Sequence, residues 1–539
     1  MPRNNRLILA HLWLAFGVFL VACALGVWQM WVRGPLSAPL DIPQRYYQSV
    51  TAHGVSMAYV LTTFFIMGFG YFVAETALKR ELPGKAWAWG AYAMGVVGVV
   101  MAVLSIGAGQ ASVLYTFYPP LTATVWFYLG LVLVVVASWI WCVLMLVAMG
   151  GFKRANPGVP VPLAMYATVA NAVMWLWTTV GVASEILFLI MPAVLGFKQT
   201  IDVGLSRTLF SWTLHAIVYF WLIPAYTAFY TMAPRMAGGR LFSDTMGRLT
   251  FVAFLLYSLP VGMHHLFMDP EHSTGFKFIQ MSLTALVSAP TLLTVFTISA
   301  SMELAGRLRG GKGLLGWIKA LPWDRPMMLA TGLAFFMLWF GGGGGLINMS
   351  YGMNAMVHNT AWVTAHFHLI FGGTVVIMYF AIAYEIWPSL TRRALVDARW
   401  QRLQLWLWAI GMMVMTFPWH FLGLQGQWRR VATFDYSDPR IAWWGPWVVV
   451  SLVGGVMLLA SALLFVANLL PRKTAAEAPE GYAYALAVHQ PKRVPAVLNG
   501  FWVWNILVAV LMAVAYGYPI AQFFIGDAPE AILHRLSGG

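Results

Sequence analysis

The sequence predicts an all-α, polytopic membrane protein with about 13 transmembrane helices. Hydrophobic residues make up 60% of the 539 positions and charged residues only 9%, whereas a soluble protein of this length would be roughly one-quarter charged. Apolar runs long enough to cross a bilayer recur along the whole chain. The alternating polarity that a membrane β-barrel requires is absent from the sequence.

Thirteen apolar segments define the predicted helices. They lie near residues 6–33, 49–78, 86–109, 122–150, 161–194, 206–234, 247–268, 276–306, 327–347, 356–388, 403–424, 443–468 and 498–524. With a cytoplasmic N-terminus, 23 of the 32 Lys and Arg residues fall inside, in runs such as RLRGGKG and TRRALVDARWQR. This follows the positive-inside rule, so the net charge of +14 requires no nucleic-acid partner. The same topology predicts an outside C-terminus. No soluble domain stands apart, which predicts a single membrane domain over residues 1–539.

Histidine is the only abundant metal-ligand type in the sequence. The chain has 12 histidines and two cysteines, and both cysteines, Cys23 and Cys142, lie within apolar segments. This argues against a disulfide framework and against thiolate–metal chemistry. Neutral imidazole is a good ligand for iron and copper.

Six histidines lie at matching depths in four of the predicted spans, toward the outer half of the bilayer. An imidazole in a span is costly unless it is paired or bound. One such residue is most often explained by a hydrogen bond to a neighbouring helix, but six in four spans favour metal binding. They are His53 in the second span, His215 in the sixth, His264 and His265 in the seventh, and His366 and His368 in the tenth.

The spacing within each pair predicts different sites. Helical residues turn by about 100° each, so His366 and His368 point to nearly opposite sides and would bind different metals. This suggests two haems flanking one helix, and a haem with a single imidazole keeps an open face. The adjacent His264 and His265 can instead reach one ion together with His215, although polar residues at a helix end are the simpler alternative.

One face of the sixth span also carries phenols. Tyr219 follows His215 at i, i+4, so the two side chains meet on one helix face. Tyr226 and Tyr230 lie within about 60° of the same direction. In the eighth span, Thr291 and Thr294 are stacked at i, i+3. Hydroxyl groups both donate and accept protons, which predicts a proton path, whereas an interfacial aromatic belt is the alternative.

These residues and their surroundings resemble subunit I of the haem–copper oxidases, in particular the B-family oxygen reductases with b-type and a-type haems. The matching segments are YYQSVTAHG, VLYTFYPPL, HAIVYFWLIPAY, VGMHH, VHNTAWVTAHFHL and the arginine pair of GQWRR. They occur in the family's order over essentially the whole chain. The resemblance implies the haem–copper oxidase subunit I fold.

The resemblance also implies a role for each site residue. His53 and His368 would bind a low-spin haem b, and His366 a high-spin haem of a-type or o-type. One copper ion would be bound by His215, His264 and His265, with Tyr219 covalently joined to His215. Haem propionates would lie near Arg429, Arg430, His358 and Asn354. From the residues alone, an ordinary juxtamembrane pair is the preferred interpretation of the arginines, although guanidinium–carboxylate pairing supplies a reason for the family role.

The implied activity is that of a terminal oxidase that reduces O2 to water and couples this to proton translocation. Electrons would come from cytochrome c or a similar donor, through a second subunit with a dinuclear copper site. The expected location is the plasma (inner) membrane of a bacterium or archaeon, within the lipid bilayer. A nitric oxide reductase-like activity and a redox-inactive relative are the alternatives.

Three positions depart from related sequences. Ile217 occupies the position where A-family oxidases carry a glutamate, so a second proton path lacks its end group. Ala216 replaces a usual proline next to His215. Asn354 stands where close relatives have an aspartate, and an amide takes up no proton at physiological pH. Tyr219 favours oxygen reduction over nitric oxide reduction, because nitric oxide reductases lack this tyrosine.

Overall fold

The computed structural model describes residues 4–38, 42–470 and 482–525. Within these ranges the β structure is limited to isolated bridges, and the long elements are helices. They are α1 Asn5–Arg33, α2 Gln44–Leu78, α3 Lys85–Gly107, α4 Val125–Ala155, α5 Leu163–Val194, α6 Val203–Met236, α7 Asp244–Ser258, α8 Thr274–Leu308, α9 Pro326–Met349, α10 Ala361–Thr391, α11 Ala398–Leu424, α12 Ala442–Leu469 and α13 Trp502–Ile525.

Twelve of these helices are long and apolar enough to cross a membrane, and α7 is the exception. It has 15 residues and ends at Ser258, shortly before Pro260, which has no backbone N–H to continue the helix. A helix of this length spans about 22 Å, less than the roughly 30 Å hydrocarbon core. A 3₁₀ turn, Gly262–Leu266, follows. The seventh predicted span is therefore a short helix joined to a turn.

The helices that carry most of the predicted ligands lie at the centre of the bundle. In α2, α6 and α10 the apolar windows are 94%, 89% and 89% buried, compared with 33% in α8 and α13. His53, His215, His366 and His368 lie on these three central helices. A histidine on a central helix faces other helices instead of lipid, as polar groups in a membrane require.

Side-chain caps define where several of these helices begin. The Asp202 carboxylate accepts from Leu205 N at 2.9 Å at the start of α6. The Ser243 hydroxyl accepts from Met246 N at 3.2 Å at the start of α7. The Thr360 hydroxyl accepts from Trp362 N at the start of α10. Such caps satisfy N–H groups that the first helical turn leaves free.

Three segments of π-helix interrupt the α-helices in the described part of the chain. They are Ser56–Leu61 in α2, Ile186–Ile190 in α5 and Leu369–Val376 in α10. The first begins three residues after His53, the second directly after Glu185 and the third directly after His368. Such segments occur frequently at functional sites.

The chain after α12 returns to the C-terminal end of α6. Residues 471–481 of the predicted polar loop near 470–495 lie outside the described residues. Beyond them, Ala485 N donates to Thr231 O at 2.7 Å and Val488 N to Leu241 O at 2.8 Å. The predicted outside C-terminus also lies beyond the described residues, which end at Ile525.

Candidate active site

His53 on α2 and His368 on α10 face each other. Their ring centroids are 6.4 Å apart and the ring planes differ by 18°. His53 Nδ1 donates to Ala22 O and His368 Nδ1 to Thr364 O, both at 2.7 Å. A carbonyl bond at Nδ1 fixes the tautomer and leaves Nε2 available as a metal ligand. Because metal–imidazole bonds are about 2 Å long, the separation leaves room for one metal ion between the rings.

His366 faces a different helix from its near neighbour His368. Its Nδ1 donates to Gly341 O on α9 at 2.8 Å, so its Nε2 is also left available. His368 instead packs against Trp419 on α11, with ring centroids 5.3 Å apart. The structure thus separates the two imidazoles of α10 into different surroundings.

The glycine run of α9 makes room for His366, and the sequence reasoning missed it. A Cβ at Gly344 would lie 3.2 Å from His366 Nδ1, and one at Gly345 would lie 3.1 Å from His366 Cε1. In α1, a Cβ at Gly26 would lie 3.2 Å from His53 Cε1. Glycine therefore allows close approach of both rings. The run of five glycines at 341–345, unusual inside a helix, was the available signal.

His215, His264 and His265 come together as a three-histidine cluster. Each offers a ring nitrogen, and these atoms lie within 4.8 Å of one another. His264 Nδ1 donates to Val261 O at 2.5 Å. The Nε2 atoms of His215 and His265 are buried and have no hydrogen-bond partner among the described residues. Buried polar atoms without partners are rare, and three converging nitrogens fit one metal ion with an open coordination position.

The backbone of the turn that bears His264 and His265 is held in place by its neighbours. Gly262 N donates to the Tyr516 hydroxyl at 2.8 Å. A Cβ at Gly262 would lie 1.9 Å from Ser211 O on α6, so only glycine allows this approach. The turn is thereby drawn against α6, the helix that carries His215.

One large cavity joins these sites. Its volume is about 1160 Å³, larger than the roughly 300–1,000 Å³ of a typical ligand pocket. All six histidines line it, together with Tyr219, Asn354, His358, Arg429 and Arg430. The available imidazole nitrogens and the size of the cavity together fit haem and copper.

One rim of the cavity carries the half-buried positive charges of Arg429 and Arg430. Arg429 Nη2 donates to Asn359 Oδ1 at 2.9 Å, while its Nε is buried without a hydrogen-bond partner in the described chain. Burial, and next the charge of Arg430, lower the pKa of Arg429 to about 9. A guanidinium with a buried, unused donor fits an anionic group such as a carboxylate.

His358 and Asn354 form a pair at the same rim. His358 Nδ1 donates to Asn354 Oδ1 at 3.1 Å, and Asn354 Nδ2 donates to Asn348 O at 2.6 Å. Burial lowers the pKa of His358 to about 4, with Arg429 as the next cause. His358 is therefore neutral at physiological pH.

The structure brings the predicted phenols and hydroxyls together in pairs. Tyr219 packs against His215, with ring centroids 5.1 Å apart. Farther along α6, Tyr226 OH and Thr291 Oγ1 are 3.1 Å apart, and Tyr230 OH donates to Thr294 Oγ1 at 3.1 Å. Thr291 also lines the cavity. The predicted helix face therefore forms hydrogen bonds from α6 to α8.

Sequence reasoning missed further hydroxyls beside these pairs. Thr250 Oγ1 on α7 lies 2.9 Å from Tyr230 OH. Thr297 and Ser301, both fully buried, continue the Thr291–Thr294 stack along α8. The i, i+3 and i, i+4 spacing was a signal for these two residues. Thr250 had no such signal, because its contact depends on how α7 packs against α6.

Comparisons with known proteins agree with this geometry. The family described as "Cytochrome C and Quinol oxidase polypeptide I" matches residues 6–457. Cytochrome c oxidase subunit 1 of Thermus thermophilus is 39% identical over 90% of this chain and 88% of its own length. The same subunit of Synechocystis is 26% identical over 79% of this chain and 76% of its own.

A solved structure matches as well. The chain superposes on a haem–copper terminal oxidase dimer determined by cryo-EM, with a TM-score of 0.90 and 33% identity, covering 96% of this chain and 92% of that one. The predicted fold class and the resemblance to haem–copper oxidase subunit I are thus confirmed. The chain is an integral membrane protein that belongs to the cytochrome c and quinol oxidase polypeptide I family, the catalytic subunits of terminal oxidases.

Proposed function

We propose that this subunit reduces O2 to water with electrons from cytochrome c, as a B-family oxygen reductase. The observation that carries the proposal is the one cavity that all six histidines line, with Tyr219 against one of them. Extracted-haem analysis, copper content and turnover with O2 and with nitric oxide, all on the purified complex, test it. Nitric oxide turnover without oxygen turnover would favour a nitric oxide reductase, and loss of haem and copper a redox-inactive relative.

The cofactors follow from the three sites. His53 and His368 would hold a low-spin haem b, His366 a high-spin haem of a-type or o-type, and the three-histidine cluster one copper ion. When bound, these groups carry electrons and activate dioxygen. The protein orients them through the carbonyl bonds at His53, His366 and His368 and keeps them in a water-poor interior. Arg429 and Arg430 would bind haem propionates, beside His358 and Asn354.

Proton supply is assigned to the hydroxyls between α6 and α8. Tyr219, next to His215, would donate a proton and an electron to the reaction and would be linked covalently to that histidine. Tyr226 with Thr291, and Tyr230 with Thr294, would carry protons to it from the inner side. Ile217 offers no titratable group for a second route, so chemical and pumped protons would share this path.

The partners and the location complete the proposal. The only cysteines, Cys23 and Cys142, are buried within helices, so the chain offers no site for a dinuclear copper centre. A second subunit with that centre on the outer face would receive electrons from cytochrome c. The positive-inside bias supports a bacterial or archaeal plasma membrane with a cytoplasmic N-terminus, an outside C-terminus and one membrane domain.

A further inference from the structure

Glu185 is a fully buried acid inside α5 that none of the assigned sites uses. Ser206 Oγ on α6 donates to its Oε1 at 2.5 Å. Its Oε2 is buried and has no hydrogen-bond partner among the described residues. A π-helical segment begins directly after it. The other two such segments follow the predicted haem ligands His53 and His368 closely.

No cation within the described ranges forms an ion pair with Glu185. An unpaired carboxylate in a membrane interior is strongly disfavoured, so intramembrane acids are rare and mark proton routes or ion sites. A neutral carboxyl group has an O–H to donate, and one oxygen of Glu185 lacks a partner. A nearby water or hydroxyl would satisfy it.

Tyr118 interacts electrostatically with Glu185 and also lines the large cavity. Thr116 and Tyr118, in the loop between α3 and α4, both line that cavity. Their hydroxyl groups are buried without hydrogen-bond partners in the described chain. Burial raises the pKa of the Tyr118 phenol, and the Glu185 carboxyl is the next cause, so the two groups interact electrostatically. Arg207, whose guanidinium lies 5.4 Å over the Tyr118 ring, is ion-paired with Asp269 at 2.8 Å.

The other titratable groups that interact with the carboxyl are phenols. Tyr59 on α2 and Tyr128 on α4 both interact with it electrostatically, and Tyr59 OH donates to Tyr115 O at 3.2 Å. Neither carries a positive charge that would hold Glu185 permanently ionised. The carboxyl thus interacts with three phenols, and one of them, Tyr118, lines the cavity.

We propose that Glu185 is a proton-holding residue on the outer side of the cavity. It gains or loses one proton through water and the unpartnered hydroxyls of Thr116 and Tyr118 when the metal centres change redox state, and no electron leaves the residue. This role would supply the titratable group that Asn354 lacks. The inference rests on the proposed oxidase function.

Redox-difference infrared spectroscopy of the purified complex tests this directly. Reducing the centres electrochemically is expected to change a carboxyl C=O band that Glu185→Gln removes and Glu185→Asp retains at a shifted position. Glu75→Gln is the matched control, because Glu75 is also a buried acid but bonds to Asn4 at the inner end of α2. The control should keep the band. A parent spectrum without a carboxyl change, or a band that persists in Glu185→Gln, overturns the proposal.

Proton pumping in vesicles provides the second readout. Glu185→Gln is expected to keep haem content and oxygen turnover within a few-fold while the protons pumped per electron fall well below the parent value. Unchanged pumping in this variant contradicts the role. The infrared measurement needs no oxygen turnover, so a parent complex without oxidase activity would refute the proposed function while the band still decides the role of Glu185.

Discussion

Two histidine pairs in this molecule show how local backbone geometry determines what the same side chain can bind. His366 and His368 are separated by one residue on the buried helix α10, and they contact α9 and α11 respectively. His264 and His265 are adjacent on a 3₁₀ turn, and their ring centroids are 4.2 Å apart. One pair diverges and the other converges.

The difference has a direct physical cause. An α-helix rotates residues i and i+2 by about 200°, which places their side chains on opposite sides. In the turn after α7, residues i and i+1 diverge less, and the glycine at 262 lets the backbone approach α6 and His215. The first geometry therefore places the proposed ligands of two haems on opposite sides of one helix, and the second brings together ring nitrogens that fit one metal ion.

Removing one ligand from each region gives the largest expected effects. His264→Ala should weaken copper binding by more than about 100-fold, since the loss of even an outer partner costs about 10–100-fold. Oxygen reduction should be abolished while the low-spin haem spectrum remains. His53→Ala should do the reverse and remove the low-spin haem while copper is retained. Metal analysis and reduced-minus-oxidised spectra measure both.

Two outcomes of these measurements would contradict the proposed assignment of the histidines. If His53→Ala lost only copper, or if His264→Ala lost the low-spin haem, the assignment of the two regions would be wrong. Tyr92→Phe is a control for general damage, because Tyr92 contacts the buried His11, with ring centroids 4.8 Å apart, and neither residue lines the cavity. It should keep both cofactors.

Interrupting the hydroxyl path should have the next largest effect. Thr294→Val removes the acceptor of the Tyr230 hydrogen bond but keeps the side-chain volume, and Tyr230 retains Thr250. Steady-state oxygen reduction should fall about tenfold or more, as the loss of a proton-transfer group commonly costs about 10²–10⁴-fold. The low-spin haem should remain reducible. Oxygen consumption in coupled vesicles measures this.

Tyr219→Phe should reduce turnover further, because it also removes the phenol beside His215. Tyr226→Phe tests the middle of the path, where the partner is Thr291. Near-normal turnover in both Thr294→Val and Tyr226→Phe would refute a single proton path. An unchanged haem content in each variant is the required control.

Sequence reasoning predicted the fold and the histidines better than the contacts between helices. The spans follow from apolar length, and the divergence of His366 and His368 follows from helical rotation. The break after Ser258 carried a signal in Pro260, but the sequence alone did not show that a turn would hold His264 and His265, the proposed copper ligands. The close approach of His366 to the glycines of α9 and the contact of Thr250 with Tyr230 depend on interhelical packing, which the periodicity of the sequence does not encode.

A small change beside His53 should sharpen the comparison. Gly26→Ala would place a methyl group 3.2 Å from His53 Cε1, whereas Gly17→Ala on the same helix meets nothing within 4 Å. The first should shift the absorbance or midpoint potential of the low-spin haem and leave copper unchanged, because the ring must move by a few tenths of an ångström. Equal effects of the two substitutions would show that His53 is not closely packed against α1.

The smallest effect on turnover is expected at the rim of the cavity where Asn354 and His358 form a hydrogen bond. Asn354→Asp puts a carboxylate next to His358 Nδ1, which now donates to the amide oxygen at 3.1 Å. Burial and then the nearby arginines lower the pKa of His358 to about 4, and an adjacent negative charge raises it. Protonation of His358 should therefore begin at higher pH in the variant. Oxygen turnover should stay within a few-fold of the parent, while protons pumped per electron change and vary with pH.

Asn359→Asp is the matched control, since Asn359 bonds Arg429 instead of His358. A large fall in turnover with unchanged pumping would mean that position 354 supports the haem site and holds no proton. Together with the His53 and His264 variants, that outcome would restrict the chemistry to the histidine regions and leave the rim a purely positioning role.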